Sequence, residues 1–173
     1  MSSVSLEDAL FDGAHFGDTE AVRSLIGRGA DLTSKDCNGL TPLHWAAFSN
    51  FPETAKVLLE SGADANARDN IGQTPLHRAA SSNQDIHEIL RLLVAHGADV
   101  YAKDNRGWTP LTEAESLGQP SAATALRQVI ANAVDCSAGQ DVKRPTPGKE
   151  ENNEEHAGSR NSAKSRIPKT RTR

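Results

Sequence analysis

The chain is poor in the residues that large cores, disulfide frameworks and membrane spans require. Aromatic residues make up 4% of its 173 residues and hydrophobic residues 36%, which is too little bulk for one large globular core. Its two cysteines, Cys37 and Cys136, are too few for a disulfide framework or a four-ligand zinc site. No stretch approaches the roughly 20 apolar residues of a membrane span, and Glu7, Asp8 and Asp12 argue against a signal peptide. We therefore expect a soluble intracellular protein, cytoplasmic or nuclear.

Charge and hydropathy divide the chain into two parts. Residues 1–134 contain 10 Lys+Arg and 17 Asp+Glu, whereas residues 135–173 contain 9 and 6. The second part has no leucine or aromatic residue, and its large aliphatic residues are Val142 and Ile167. Such a segment cannot bury enough apolar surface to offset the entropy of ordering. We predict a folded domain over 1–134 and a disordered tail with a basic end over 135–173.

Two short strings recur in phase within the first part. Gly-x-Thr-Pro-Leu begins at positions 39, 72 and 107, and Gly-Ala-Asp begins at positions 29, 62 and 97. Both strings are spaced by 33 and then 35 residues, while the distance from each Gly-Ala-Asp glycine to the next motif threonine is always 12. The two extra residues of the third copy therefore lie elsewhere in the unit, between Ala80 and Ile86. A period of this length indicates stacked supersecondary units.

Each unit predicts two helices and a turn. The threonine of the first string suits a helix N-cap, and the proline after it suits the first helical position. Apolar residues at helical spacing follow, such as Ile89, Leu90 and Leu93, and indicate a second helix. A glycine then ends that helix in a left-handed conformation, and a polar turn leads to the next unit. One unit cannot bury enough surface alone, so the units must stack.

The residues of these strings resemble ankyrin repeats. The resemblance is strongest over Asp36–Ala47 (DCNGLTPLHWAA), Gly62–Arg68 (GADANAR) and Asp69–Ala80 (DNIGQTPLHRAA). It implies an all-α repeat solenoid of four units joined by β-hairpin-like turns. The unit boundaries are about 4–35, 36–68, 69–103 and 104–134, with a degenerate first unit and a truncated last one.

The resemblance also gives the motif residues a structural role. In ankyrin repeats the motif histidine forms a hydrogen-bond network with the motif threonine and nearby backbone, which stabilises the turn before the helix. The last unit has Thr112 in place of this histidine. The motif residues expected to be structural are Thr41, Pro42, His44, Thr74, Pro75, His77, Thr109 and Pro110.

No constellation of residues predicts catalysis. A histidine repeated every 33 residues is a structural pattern, and the other histidines are scattered without a metal-ligating pair. Cys37 has no adjacent basic residue to activate it. We predict a protein that is not an enzyme and that holds no metal or cofactor.

The expected function is protein binding by a monomer, as adaptor, scaffold or steric inhibitor. The resemblance implies binding through the turn tips and first helices on the concave face, and tryptophan and arginine are enriched in interface hot spots. The alternative for each tryptophan is packing between adjacent units. The predicted contact residues are Phe16, Leu40, Trp45, Phe48, Arg68, Ile71, Gln73, Arg78, Ser81, Lys103, Arg106 and Trp108. The longer loop at 81–85 is either a second binding feature or neutral drift.

A rival hypothesis assigns function to the tail. Six Lys and Arg residues without an acid occupy residues 160–173, which fits a nuclear import signal, a weak contact with nucleic acid or with the acidic domain, or a solvated end. On this hypothesis the protein is a nuclear or nucleic-acid-associated regulator. Two candidate modification sites are Asn66, which resembles the ankyrin asparagine that an oxygen-sensing hydroxylase modifies, and Thr146, a proline-directed phosphorylation site.

Overall fold

The computed structural model describes residues 5–82 and 84–137, with side chains as far as residue 132. These residues form helices and turns, with no strand in the described ranges, as the repeat pattern predicts. No helix in this part of the chain has the length and apolar character of a membrane span. The helices are α1 Leu6–Phe16, α2 Thr19–Gly27, α3 Pro42–Phe48, α4 Pro52–Glu60, α5 Pro75–Ala80, α6 His87–Ala95, α7 Pro110–Ser116 and α8 Pro120–Ser137.

The first helix of each complete motif begins where the Thr-Pro pair predicts. Helices α3, α5 and α7 have Thr41, Thr74 and Thr109 as N-cap residues with extended backbone, and proline follows at the first helical position. Helix α1 lacks this pair and begins instead after Ser5, whose side chain accepts the backbone N–H of Asp8 at 3.0 Å. The degenerate first unit therefore keeps an N-cap by different residues.

The second helices bury the apolar stripe that the sequence indicates. Ile89, Leu90 and Leu93 of α6 are fully buried, and Leu126 of α8 is equally inaccessible. The connection before α6 spans residues 81–86, whereas the one before α4 spans 49–51. This connection is three residues longer because α5 is one residue shorter than α3 and because the two extra residues of the third copy lie here.

Helix α8 extends beyond the predicted end of the folded part. It continues through Ser137, three residues past the boundary that the composition places at residue 134. Extending an existing helix adds one hydrogen bond for each residue that is fixed, so a helix can continue beyond the last residue of its apolar stripe. The predicted disordered tail otherwise lies outside the described residues.

The helix pairs stack in chain order. Helices α1, α3, α5 and α7 contact one another in that sequence, and α2, α4, α6 and α8 do the same in a second layer. Alanine pairs such as Ala46 and Ala47 in α3, and Ala79 and Ala80 in α5, are completely buried between the layers. These small side chains allow the helices to approach closely, so each pair completes its core against its neighbours.

The turns between units are joined by backbone hydrogen bonds. The N–H of Asn70 donates to the carbonyl of Asn38, and the N–H of Asn105 donates to the carbonyl of Ile71, each at 3.0 Å. Gly39 has a φ of 79°, and a Cβ atom there would lie 2.7 Å from the backbone nitrogen of Asn70. Glycine is therefore required at this position by both the left-handed backbone and the neighbouring turn.

Two buried histidines link each central unit to the next. Nδ1 of His44 accepts the backbone N–H of Thr41 at 3.1 Å and the hydroxyl proton of the same residue at 2.8 Å. Because Nδ1 accepts, a neutral ring carries its proton on Nε2, which donates to the carbonyl of Gln73 at 3.1 Å. His77 repeats the arrangement with Thr74 and with the carbonyl of Trp108, at 2.9 Å. The structural role expected of the motif histidines matches these contacts.

Burial keeps these imidazoles neutral. The side chain of His44 is 1% exposed, and desolvation lowers its pKa to about 4, while the hydrogen bond to Gln73 acts in the opposite direction. Burial also lowers the pKa of His77, against the hydrogen bond to the carbonyl of Trp108. Both rings therefore bind a proton more readily in the unfolded chain.

We expect stability to fall as the pH is lowered from about 6.5 toward 4. In this window the unfolded chain binds protons that the folded His44 does not, so the lowered pKa supplies stability that is fully present only above the ordinary value of 6.5. Between pH 7 and pH 5 the loss from His44 alone is about 2 kcal/mol, and His77 adds to it. Urea unfolding at both pH values measures the difference.

The test variant is His44→Gln, which removes the buried imidazole and should reduce this pH dependence, since only His77 then remains of the pair. Carboxylates with a lowered pKa, such as that of Asp104, change the free energy of unfolding only near and below pH 3.8, their ordinary pKa. They therefore do not account for a loss of stability between pH 7 and pH 5. Equal free energies of unfolding at pH 7 and pH 5 would contradict the assignment.

Candidate functional site

The turn before each first helix is closed by an aspartate. One carboxylate oxygen of Asp69 accepts the backbone N–H groups of Ile71 and Gln73, at 3.0 and 2.8 Å. Asp36 and Asp104 make the same pair of bonds two and four residues further along their turns. The carboxylate thus satisfies two backbone donors that the tight turn leaves without a backbone partner.

The second carboxylate oxygen holds a side chain that faces the outer side of the turn. In the second unit it accepts Nε1–H of Trp45 at 3.1 Å. In the third unit it accepts Nη2 and Nε of Arg78, at 2.6 and 3.2 Å. The side chain of Asp69 is fully buried while that of Arg78 is 24% exposed, so the cation is the partner that reaches the surface.

In the fourth unit the second carboxylate oxygen of the turn aspartate binds a residue of the turn itself, Arg106. The position that holds tryptophan or arginine in the earlier units is Glu113, and Arg106 contacts both this residue and Asp104, at 2.5 and 2.7 Å. Burial raises the pKa of Asp104, but hydrogen bonds from the N–H of Trp108 and from Arg106 outweigh it and hold the pKa below its usual range. The guanidinium of Arg106 also lies 4.2 Å from the ring centroid of Trp108, a cation–π contact.

A groove of about 400 Å³ opens between the second and third units. Trp45 forms its floor and meets Phe48 edge to face, with ring centroids 6.3 Å apart. Phe48 and Ile71 are 42% and 48% exposed, so both offer apolar surface to solvent. The residues that line this α3–α5 groove are Asn38, Leu40, His44, Trp45, Phe48, Asn70, Ile71 and Arg78.

The aromatic surface continues toward the first unit. The ring of His15 lies 4.8 Å from that of Trp45 and 4.8 Å from that of Phe16. Phe16 is 71% exposed. The hydroxyl of Ser49 and Nδ1 of His15 are 3.1 Å apart, which fixes the ring at the junction of the two units. The exposed aromatic edge therefore spans from α1 to α3.

Two of the predicted contact residues are buried. Gln73 is 2% exposed, because its amide donates to the carboxylate of Glu113 at 3.2 Å in the interior. Leu40 is 6% exposed and lies at the back of the α3–α5 groove. The prediction that Gln73 is a surface residue is wrong, because its side chain presents no surface to a partner, whereas Leu40 is buried but still lines the groove.

The structure brings five predicted residues to one groove and leaves the others elsewhere. Trp45 is half-buried and packs on the core, as its alternative interpretation states, yet it also lines the groove. Arg68 donates to the carbonyls of Gly72 and Lys103, at 3.0 and 2.7 Å, and the hydroxyl of Ser81 donates to the carbonyl of His77. The predicted residues that do not line the groove are Phe16, Arg68, Gln73, Ser81, Lys103, Arg106 and Trp108.

Of the two candidate modification sites, the described residues include Asn66. Asn66 lies in an exposed turn, where its amide donates to the carbonyl of Gly97 and accepts the N–H of Asp99, each at 2.8 Å. Thr146 and the basic residues 160–173 lie outside the described residues. Within the described residues, no group of three or more potential ligands is placed to hold a metal ion.

Comparison with known proteins identifies the family. Residues 10–104 and 69–138 match the family model described as ankyrin repeats (3 copies). A Medicago truncatula protein, "Protein VAPYRIN-LIKE", is 44% identical over 50 residues, which cover 29% of this chain and 11% of that protein. The chain thus spans about a tenth of the length of this relative.

The chain belongs to the ankyrin-repeat family. Its repeats confirm the resemblance on which the sequence-based fold prediction rests, and ankyrin repeats are in general protein–protein interaction modules without a catalytic role. Protein binding at this general level is the function that the family supports.

The turn aspartates organise this surface and are not among the residues predicted from the sequence. Asp36, Asp69 and Asp104 each precede the motif threonine by five residues and repeat with the same spacings of 33 and 35. This regularity was sufficient to mark them. The side chain that binds the outer carboxylate oxygen differs from unit to unit, so it could not be inferred from the spacing.

We expect Asp69→Ala to destabilise the fold by about 3 kcal/mol. The substitution leaves two backbone N–H groups and the guanidinium of Arg78 without their acceptor, and breaking a buried ion pair costs roughly this much. Asp64→Ala is the control, since the exposed Asp64 accepts one backbone N–H, from Asn66, and its loss should cost no more than about 1 kcal/mol. Chemical unfolding of both variants measures the difference, and equal losses would contradict a special role for Asp69.

Proposed function

We propose that this ankyrin domain binds a protein partner through the α3–α5 groove and thereby acts as an adaptor, scaffold or steric inhibitor. The observation that carries the proposal is the exposed apolar surface of Phe48 and Ile71 over the half-buried ring of Trp45. Exposed apolar side chains that converge on one groove indicate a binding site, whereas single ones are common on any surface.

The composition of the groove supports a protein ligand. Its apolar floor is bordered by the amides of Asn38 and Asn70 and by the guanidinium of Arg78. Interface hot spots combine a well-packed aromatic or arginine residue with a surrounding rim that excludes water. The groove volume of about 400 Å³ is sufficient to receive side chains of a partner segment. We propose further that the module works as a monomer in the cytoplasm or nucleus.

Site-specific photo-cross-linking in cells that express the chain tests the proposal. We expect a benzophenone side chain in place of Ile71 to form an adduct with a defined protein, because a partner in the groove lies against this position. The same group in place of Leu117 is the control, since Ile71 and Leu117 are 48% and 49% exposed and Leu117 lies outside the groove. Mass spectrometry identifies the adduct.

The purified partner then allows a direct measurement. Ile71→Lys should weaken binding at least tenfold, as expected for a hot-spot position, while Leu117→Lys should leave the affinity unchanged. Adducts of equal yield from both positions, or unchanged affinity of Ile71→Lys, would refute binding through this groove.

A further inference from the structure

The α3–α5 groove has an apolar wall and a single charged group. Trp45, Phe48 and Ile71 supply the apolar surface, and Arg78 is the one ionised side chain among the lining residues, all of which belong to the described ranges. No carboxylate lines the groove within this part of the chain. A ligand that enters therefore meets a cation beside an apolar floor, without an exposed acid of the same groove to compete for that cation.

The guanidinium of Arg78 is fixed in a defined orientation. Nε and Nη2 donate to the same carboxylate oxygen of Asp69, at 3.2 and 2.6 Å, and this carboxylate is held in turn by two backbone N–H groups. Nη1 makes no hydrogen bond with the described residues. Because a guanidinium has five N–H donors, its outer side remains available while its inner side is anchored.

Of the two charged groups in this pair, only the cation reaches the surface. The side chain of Asp69 has no exposed surface, whereas 24% of Arg78 is exposed. The corresponding position is Trp45 in the second unit and Glu113 in the fourth, nine residues after the turn aspartate in each case. The cation at this position is therefore a feature of the third unit alone among the three units with the full turn.

We propose that the groove binds an acidic segment of the partner protein. In this segment the carboxylate of an aspartate or glutamate accepts hydrogen bonds from Nη1 of Arg78, and a neighbouring large apolar side chain packs against Phe48 and Ile71. The charge complementarity of the groove selects this occupant, because the anchored guanidinium loses little conformational freedom on binding. The inference rests on the proposed function and adds the chemistry of the ligand.

Selection from a random peptide library displayed on phage tests the inference with the full chain as bait. We expect the enriched peptides to combine an acidic residue with a nearby large apolar residue. The dominant peptide is then synthesised in two forms, with the acid and with the corresponding amide. The acid form should bind at least tenfold more tightly, which is the range of a hydrogen bond to a charged group.

The variant Arg78→Trp tests whether Arg78 is the source of this preference. It copies the second unit, in which the indole N–H of Trp45 donates to the turn aspartate, so the buried carboxylate of Asp69 keeps a donor. The preference for the acid over the amide should fall to about one, whatever the change in overall affinity. Arg91→Gln replaces an exposed arginine of α6 and should keep the preference.

The outcomes separate the inference from the proposed function. Enriched peptides that lack acids, an acid preference that survives in Arg78→Trp, or no enrichment at all would overturn the inference. Peptides that bind without an acid preference but are lost in Ile71→Lys leave the proposed groove intact. Peptides that bind Ile71→Lys as tightly as the wild type would refute both.

Discussion

The fold depends on buried imidazole rings that tie each central unit to the one after it. In His44 and His77, Nδ1 accepts hydrogen bonds from the threonine of the same unit, and Nε2 donates one to a carbonyl of the following unit, across sequence separations of 29 and 31 residues. An unpaired polar group in this interior would cost more than the hydrogen bond supplies. The bonds therefore fix the register between successive turns, and the α3–α5 groove lies where two such turns meet. The last unit has Thr112 at this position, whose N–H donates to the hydroxyl of Thr109 within the same turn.

The turn aspartates connect this framework to the surface. Their inner oxygens close the turns, and their outer oxygens orient whichever donor lies above them: an indole in the second unit and a guanidinium in the third. A change of one residue therefore alters the chemistry of the surface without altering the turn. This separation between a constant framework and a changeable face explains how one repeat architecture can present Trp45, Arg78 and Glu113 at equivalent positions.

The fold was predictable because its signals are local and repeated. The Thr-Pro pairs mark the starts of α3, α5 and α7, and the paired spacings locate the longer connection before α6. The site was only partly predictable, because exposure depends on contacts between units. Gln73 is buried by Glu113, which lies 40 residues further along the chain, and no pattern within one repeat indicates that contact. The end of α8 at Ser137 was missed for a different reason, since helix propagation does not require the apolar residues that mark a helix in a sequence.

The most direct measurement of the central claim is the tautomer of the two buried histidines, from ring nitrogen chemical shifts and long-range couplings in a ¹⁵N NMR spectrum at pH 7. The structure predicts neutral rings protonated on Nε2 for His44 and His77, because Nδ1 accepts the threonine N–H and Nε2 donates to the next unit. Rings protonated on Nδ1, or imidazolium signals for either residue at this pH, would contradict the bridge between units.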